Sequence, residues 1–217
     1  MILKINKLPK DLKIGITGAR SDCFVDPLIK HGYNFHKVSL SDVDESYDFI
    51  LESGLYAIIP EDILNKPKMG FIGIHESPLP EGRGWAPIQW AVLNKRKNLT
   101  VTLYKLDKGV DSGNIIYQYH MPIERTDVLA DLDKKRKIGI SRCVEEFLEE
   151  LKEGVIVLRK QTGKGDYHKR RTKDDTELNP EKSLADLWDN IRICDNEDYP
   201  AFFYVDGKKV ILRYEVV

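Results

Sequence analysis

Two residues in this chain have the types and settings for proton chemistry. His75 ends the apolar run Gly70-Phe71-Ile72-Gly73-Ile74 and opens a loop rich in Pro and Gly. Asp111 stands further along, in Gly109-Val110-Asp111-Ser112-Gly113, between two more strand-like runs. A carboxylate beside an imidazole selects its tautomer and raises its basicity, which makes a competent proton shuttle. Taken singly, any one of the five histidines more often has a structural or solvated role, and a lone Asp between glycines is a common turn residue. The pair gains weight from position. In open α/β sheets the loops at the carboxyl ends of strands line the ligand crevice, so two such loops can bring distant residues into one cleft.

The elements that would carry these residues follow from the pattern. Lys13–Thr17, Phe35–Ser39, Tyr47–Leu51, Tyr56–Ile59 and Gly70–Ile74 read as short strands. With a helix over about Cys23–His31, this alternation predicts a parallel sheet with crossover helices. Pro87 opens a helix reaching Asn94, since proline costs nothing at a first helical position. Leu99–Leu106 alternates as a half-buried strand does, and Ile115–His120 continues as another. Val144, Phe147, Leu148 and Leu151 share one face of a helix within Asp127–Lys152, stopped by Gly154. A polar stretch from Lys160 to Pro180 suggests a division into a core (1–160) and a C-terminal extension (161–217). The extension reads as a helix capped by Ser183 or Asp186, then a hairpin turning at Asp206-Gly207. That hairpin either adds to the sheet or pairs with a second subunit, as in a homodimer. The fold class expected is α/β: a Rossmann-like, mostly parallel sheet with flanking helices plus this small extension.

Composition narrows the function. The 217 residues are 41% hydrophobic and 32% charged, as in soluble globular proteins. Lys+Arg 34 against Asp+Glu 35 leaves a formal charge of −1, which argues against general nucleic-acid binding. There is neither an apolar span of membrane length nor the apolar centre of a secretion signal. Cys23, Cys143 and Cys194 are widely spaced and form no metal framework, as expected of reduced thiols in a cytoplasmic protein. "GITGAR" is no dinucleotide fingerprint.

The order "GIHESPLPEGRGWAPIQWAVLN", then "TVTLYKLDKGVDSGNIIYQYHMPI", resembles the catalytic core of the folate-dependent formyltransferases. That family carries Asn-x-His-x-Ser-x-Leu-Pro, Gly-x-x-Pro and Asp-x-Gly-x-Asp-x-Gly. The matching residues are His75, Ser77, Leu79, Pro80, Gly84, Pro87, Asp107, Gly109, Asp111 and Gly113. "GLYAIIPEDIL" is similar to the strand-and-proline segment before that core. "HKRRTKDDTELN" and "LWDNIRICDNEDYPAFFYVDGKKV" resemble the tail of the sugar N-formyltransferases.

The resemblance implies transfer of a formyl group from N10-formyltetrahydrofolate to a primary amine, best that of a nucleotide-linked amino-deoxysugar. It implies His75 and Asp111 as the proton relay, Ser77 in support, and Ile59, Pro60, Asp107, Gly109 and Val110 on the folate. Arg83, Gly84 and Trp85 would face the acceptor: Arg83 can hold a phosphate and Trp85 can stack on a base, although surface and packing roles are as common for both. A solvated face is the commoner fate of the run His168–Arg171, which can also meet a diphosphate. The departure is Gly73, where the family has an asparagine whose carboxamide donates to the developing oxyanion. A neighbouring amide, a water or another side chain then supplies that donor, or the chain binds its ligands without turnover.

Overall fold

The computed structural model describes residues 1–5 and 7–217. Its strands are β1 (Ile2–Lys4), β2 (Ile14–Thr17), β3 (Phe35–Lys37), β4 (Phe49–Glu52), β5 (Phe71–His75), β6 (Arg83–Gly84), β7 (Asn98–Lys105), β8 (Ile115–Pro122), β9 (Val155–Val157), β10 (Tyr167–His168), β11 (Ala201–Val205) and β12 (Lys208–Leu212). The α-helices are α1 (Val25–Lys30), α2 (Glu61–Leu64), α3 (Pro87–Leu93), α4 (Leu129–Lys152) and α5 (Leu184–Arg192). Six strands form the central sheet in the order β3-β2-β4-β5-β7-β8. The first four run parallel, β7 runs opposite to them, and β8, antiparallel to β7, runs in their direction again. The sheet is thus α/β and Rossmann-like, as the alternation predicts.

Side chains alternate across each strand, so one face serves the large core and the other the site. Phe49, Leu51, Ile72 and Ile74 enter the main core, together with Val101, Leu103 and the inner face of α4. Phe49 meets Phe147 of α4 edge to face, with ring centroids 5.5 Å apart. Gly139 lets α4 approach the sheet closely: a Cβ there would lie 2.6 Å from both Val101 Cγ2 and Met121 Cε. On the opposite face Ile50 and Phe71 pack with Val43, Tyr47, Ile59 and Leu64. Glu52, Gly73 and His75 continue that face toward the strand ends, where the apolar residues stop.

Two strand expectations are corrected. Tyr56–Ile59 is an irregular loop that joins no sheet; Tyr56 and Ile58 are exposed, and the segment lines the cleft described below. β7 is buried on both faces rather than one, because its threonines are satisfied internally. Thr102 Oγ1 donates to the Ser77 carbonyl at 2.6 Å, and Thr100 Oγ1 bonds His120 Nδ1 at 2.9 Å.

In the tail, Ser183 Oγ accepts from the Asp186 amide at 3.2 Å and caps α5. Asp206 and Gly207, at φ +47° and +75°, make the turn between β11 and β12. The hairpin is a separate two-stranded sheet and does not extend the central one; Leu178 donates to the Phe202 carbonyl at 2.7 Å and ties it to the chain before α5. The polar stretch after Lys160 folds back on the core: β10 pairs in parallel with β6, and the Trp85 amide donates to the His168 carbonyl at 3.0 Å. Among the described residues no helix is long and apolar enough to cross a membrane.

Candidate active site

His75 is buried at the carboxyl end of β5. Its Nε2 lies 2.8 Å from the Gly82 carbonyl, an acceptor only, so Nε2 carries the proton and Nδ1 keeps the lone pair in the neutral ring. Nδ1 faces Asp111 Oδ2 at 3.7 Å. The Asp111 carboxylate is held by two donors: the Gly84 amide to Oδ2 and the Tyr104 hydroxyl to Oδ1, each at 2.8 Å. Asp111 itself adopts a left-handed backbone (φ +48°), a conformation Asp tolerates better than most residues. The two residues expected to meet are therefore within ion-pair distance.

They meet by an unexpected route. Because β7 is antiparallel to β5, its carboxyl end lies beside the start of β5, with Ile72 opposite Lys105 and His75 opposite Thr102. The following loop has to fold back over the sheet face to reach His75. Gln161 pins this loop by donating from Nε2 to the carbonyls of Asp111 and Gly113 at 2.9 and 2.8 Å. Arg83 in turn donates to Gln161 Oε1 at 2.6 Å. Arg83 is not among the residues lining the cleft, and through Gln161 its guanidinium supports the Asp111 loop.

A cleft of about 1190 Å³ opens over this face, lined by His75, Asp111, Glu52, Tyr104, Trp85 and Gly109 among others. Ile59, Asp107, Val110 and Gly84 also lie on its wall. Pro60 does not: it stands exposed before α2. Asp107 spends its carboxylate locally, accepting from the Gly109 amide at 3.0 Å and Ser112 Oγ at 2.6 Å. Ser77 is buried with its hydroxyl unpartnered among the described residues, and it acts through its carbonyl, which receives Thr102. Trp85 stacks on Tyr56 (5.6 Å, interplanar 6°), and the Arg170 guanidinium lies 5.0 Å from the Trp85 ring centre.

The site also contains groups the sequence reading missed. In register across the sheet, Gly73 is flanked by Glu52 on β4 and Tyr104 on β7. Both long side chains lean over the glycine: a Cβ built at residue 73 would lie 3.2 Å from Glu52 Oε2 and 3.3 Å from Tyr104 Cε1, and would overlap Leu106 Cδ1. Glu52 Oε1 accepts from the Leu55 amide at 2.6 Å. Burial pushes the Glu52 carboxyl up to about 7; the Leu55 amide and Arg20 oppose the rise, while Asp111 and Glu76 add to it. Burial, with the carboxylates of Asp111 and Glu52, also holds the Tyr104 phenol well above its ordinary range, so it remains a donor.

Residues 37–139 match the formyl transferase family. The chain is 33% identical over 164 residues to methionyl-tRNA formyltransferase of Thermodesulfovibrio yellowstonii, covering 74% of this chain and 52% of that protein. It thus spans about half the length of that curated relative. Among solved structures it is similar to the formyltransferase PseJ of Anoxybacillus kamchatkensis, determined with UDP-4,6-dideoxy-4-formamido-L-AltNAc and tetrahydrofolate. There the identity is 27% and the TM-score 0.63, over 75% of this chain and 87% of that one. A sugar N-formyltransferase from Shewanella sp. FDAARGOS_354 shares the fold at TM-score 0.76 and 19% identity, covering 95% of this chain and 99% of the other. The matched segment holds β5, the His75 loop and Asp111, so the part of the chain that resembles the formyl transferases is the part that builds the site.

Proposed function

We propose that this protein transfers the formyl group of N10-formyltetrahydrofolate to the primary amine of a nucleotide-linked amino sugar. One observation carries the transfer itself: a buried imidazole with a free Nδ1, set against a carboxylate at 3.7 Å, on the wall of a cleft of about 1190 Å³. Ligand pockets commonly occupy about 300–1,000 Å³, so this cleft has room for two substrates to meet.

In this reading the amine lone pair attacks the formyl carbon, and the C=O π pair moves onto oxygen. His75 Nδ1 takes a proton from the resulting ammonium, and the imidazolium is stabilised by Asp111. The C–N10 bond then breaks with its electron pair going to N10, which receives the proton from His75, and the oxyanion re-forms the carbonyl of the formamide. Acid–base assistance of this kind contributes about 10²–10⁴ in rate.

Support for the sugar acceptor comes from the cleft's outer end. An adjoining recess of about 470 Å³ is lined by Tyr56, Trp85, Arg170 and Arg171. Aromatic plates with two guanidiniums suit a base and a diphosphate, and the similar PseJ was solved with a UDP-sugar. The near-zero net charge is unlike that of a protein that tracks a phosphate backbone. The test is incubation of the formyl donor with a panel of nucleotide-linked amino sugars and with charged initiator methionyl-tRNA, read by mass spectrometry for one added formyl group. Formylation of a 4-amino sugar is expected. Formylation of the tRNA alone would overturn the choice of acceptor, and ligand binding without any release of tetrahydrofolate would overturn turnover itself.

A further inference from the structure

Formyl transfer needs a hydrogen-bond donor where the carbonyl oxygen becomes an oxyanion, and residue 73, as glycine, supplies no side chain for it. The structure places a different group in that space. Glu52 ends β4 as His75 ends β5, and parallel register sets it beside Gly73. Its Oε2 lies 3.2 Å from where a residue 73 Cβ would be, whereas Oε1 is occupied by the Leu55 amide at 2.6 Å. Oε2 takes no hydrogen bond among the described residues, and Glu52 lines the same cleft as His75, Asp111 and Tyr104. A Cβ at 73 would crowd both side chains and displace the Leu106 tip, so glycine lets Glu52 and Tyr104 converge here without adjustment.

We propose that the Glu52 carboxyl group, through Oε2–H, donates the hydrogen bond that stabilises the oxyanion of the tetrahedral intermediate. This rests on the formyl-transfer reading above. The proton stays on Glu52 throughout: when the C–N10 bond breaks and the carbonyl re-forms, the hydrogen bond weakens and nothing is transferred, so the atom and electron balance of the reaction is unchanged. Oε1 is the acceptor and Oε2 the hydroxyl, an order set by the Leu55 N–H, which demands an acceptor. The charged and titratable groups around Glu52 are Arg20 after β2, Glu76 and His75 at the end of β5, Tyr104 on β7 and Asp111 in the loop that follows it. The carboxyl, held at about 7, is half protonated near neutrality, so the donor is present on the acid side and is lost as pH rises.

The experiment compares wild type, Glu52→Ala and Glu52→Gln in formyl transfer to the best amine found, each across pH. Glu52→Ala is expected to lower kcat by roughly 10²–10³-fold with little change in the donor's KM. Glu52→Gln retains an N–H donor with nearly the same shape; it is expected to recover about tenfold or more of that loss and to abolish the alkaline fall in kcat centred near 7 in wild type. A thermal melt of each variant separates misfolding from lost chemistry, and where Glu52→Ala does not fold, the rate and pH profile of Glu52→Gln decide alone. Glu52→Gln falling to the level of a residue with no donor, or keeping the wild-type alkaline limb, overturns the proposal, as does Glu52→Ala with kcat close to wild type. A wild-type chain that transfers to no amine overturns the underlying reading as well, whereas an active wild type with an indifferent Glu52 overturns only the role of this residue.

Discussion

Replacing Glu52 by glutamine changes one atom's chemistry and removes one titration, so its effect on stability can be worked from the structure. The folded carboxyl titrates at about 7 against an ordinary value of 4.5, because burial disfavours its ionised form. A carboxyl whose folded pKa is raised stabilises the fold relative to its ionised form below the unfolded value, and that contribution is lost as pH climbs through the folded one. The native state holds the proton longer than the unfolded state over this window, so wild-type stability falls with pH. One pKa unit is about 1.4 kcal/mol, and between about pH 5 and pH 8 the loss comes to roughly 2–3 kcal/mol. Glutamine has no such loss. The stability of Glu52→Gln relative to wild type should therefore rise by that amount over the same window, whatever its offset at the acid end. Urea unfolding of both proteins at the two pH values, with m-values checked for constancy, measures this difference. A pH-independent offset, or a gap that closes toward pH 8, would show that Glu52 is ionised in the folded state at both pH values and would refute the environment derived for it.

The same geometry predicts that Gly73→Asn, which restores the family's residue, is harmful here. Its side chain would enter space held by Leu106, Glu52 and Tyr104, at an overpacking cost of about 1–3 kcal/mol, with a fall in kcat; adding Glu52→Ala should recover part of both losses, and a Gly73→Asn variant faster and more stable than wild type would show the space to be empty. At the acceptor end, Trp85→Ala is expected to raise KM for the nucleotide-linked sugar without changing that for the folate. Arg83→Ala, by contrast, should leave the sugar's KM near wild type and lower the melting temperature, since Arg83 holds Gln161 and through it the Asp111 loop; the opposite ranking in KM would return Arg83 to the ligand.

Much of the frame was legible because local physics specifies it. Proline at the start of α3, the apolar face of α4, the Ser183 cap and the Asp206-Gly207 turn each carry their own signal and appear where expected. What depended on distant partners was less so. Tyr56–Ile59 has the residue types of a strand but pairs with no other strand and instead lines the cleft. Thr100 and Thr102 read as solvent-facing because their hydroxyl partners, His120 and the Ser77 carbonyl, lie on other elements. His75 and Asp111 were singled out by composition and order, yet the reversed direction of β7, which forces the Asp111 loop back across the sheet, leaves no mark in the local pattern. Glu52 carried a signal that was overlooked: a carboxylate closing the apolar run Phe49-Ile50-Leu51 is as anomalous as a histidine closing β5. Its significance emerges only with the register that sets it against Gly73, and register between parallel strands joined by a crossover cannot be read from either strand alone.

The most direct test of the central claim is the rate at which tetrahydrofolate is released from its N10-formyl form in the presence of a nucleotide-linked 4-amino sugar, measured for wild type, His75→Ala and Asp111→Ala. The account predicts release matched by formylated sugar in wild type, and a fall of about 10²–10⁴-fold in each variant with the fold retained. Release that ignores the amine, or a His75→Ala protein that keeps the wild-type rate, would contradict it.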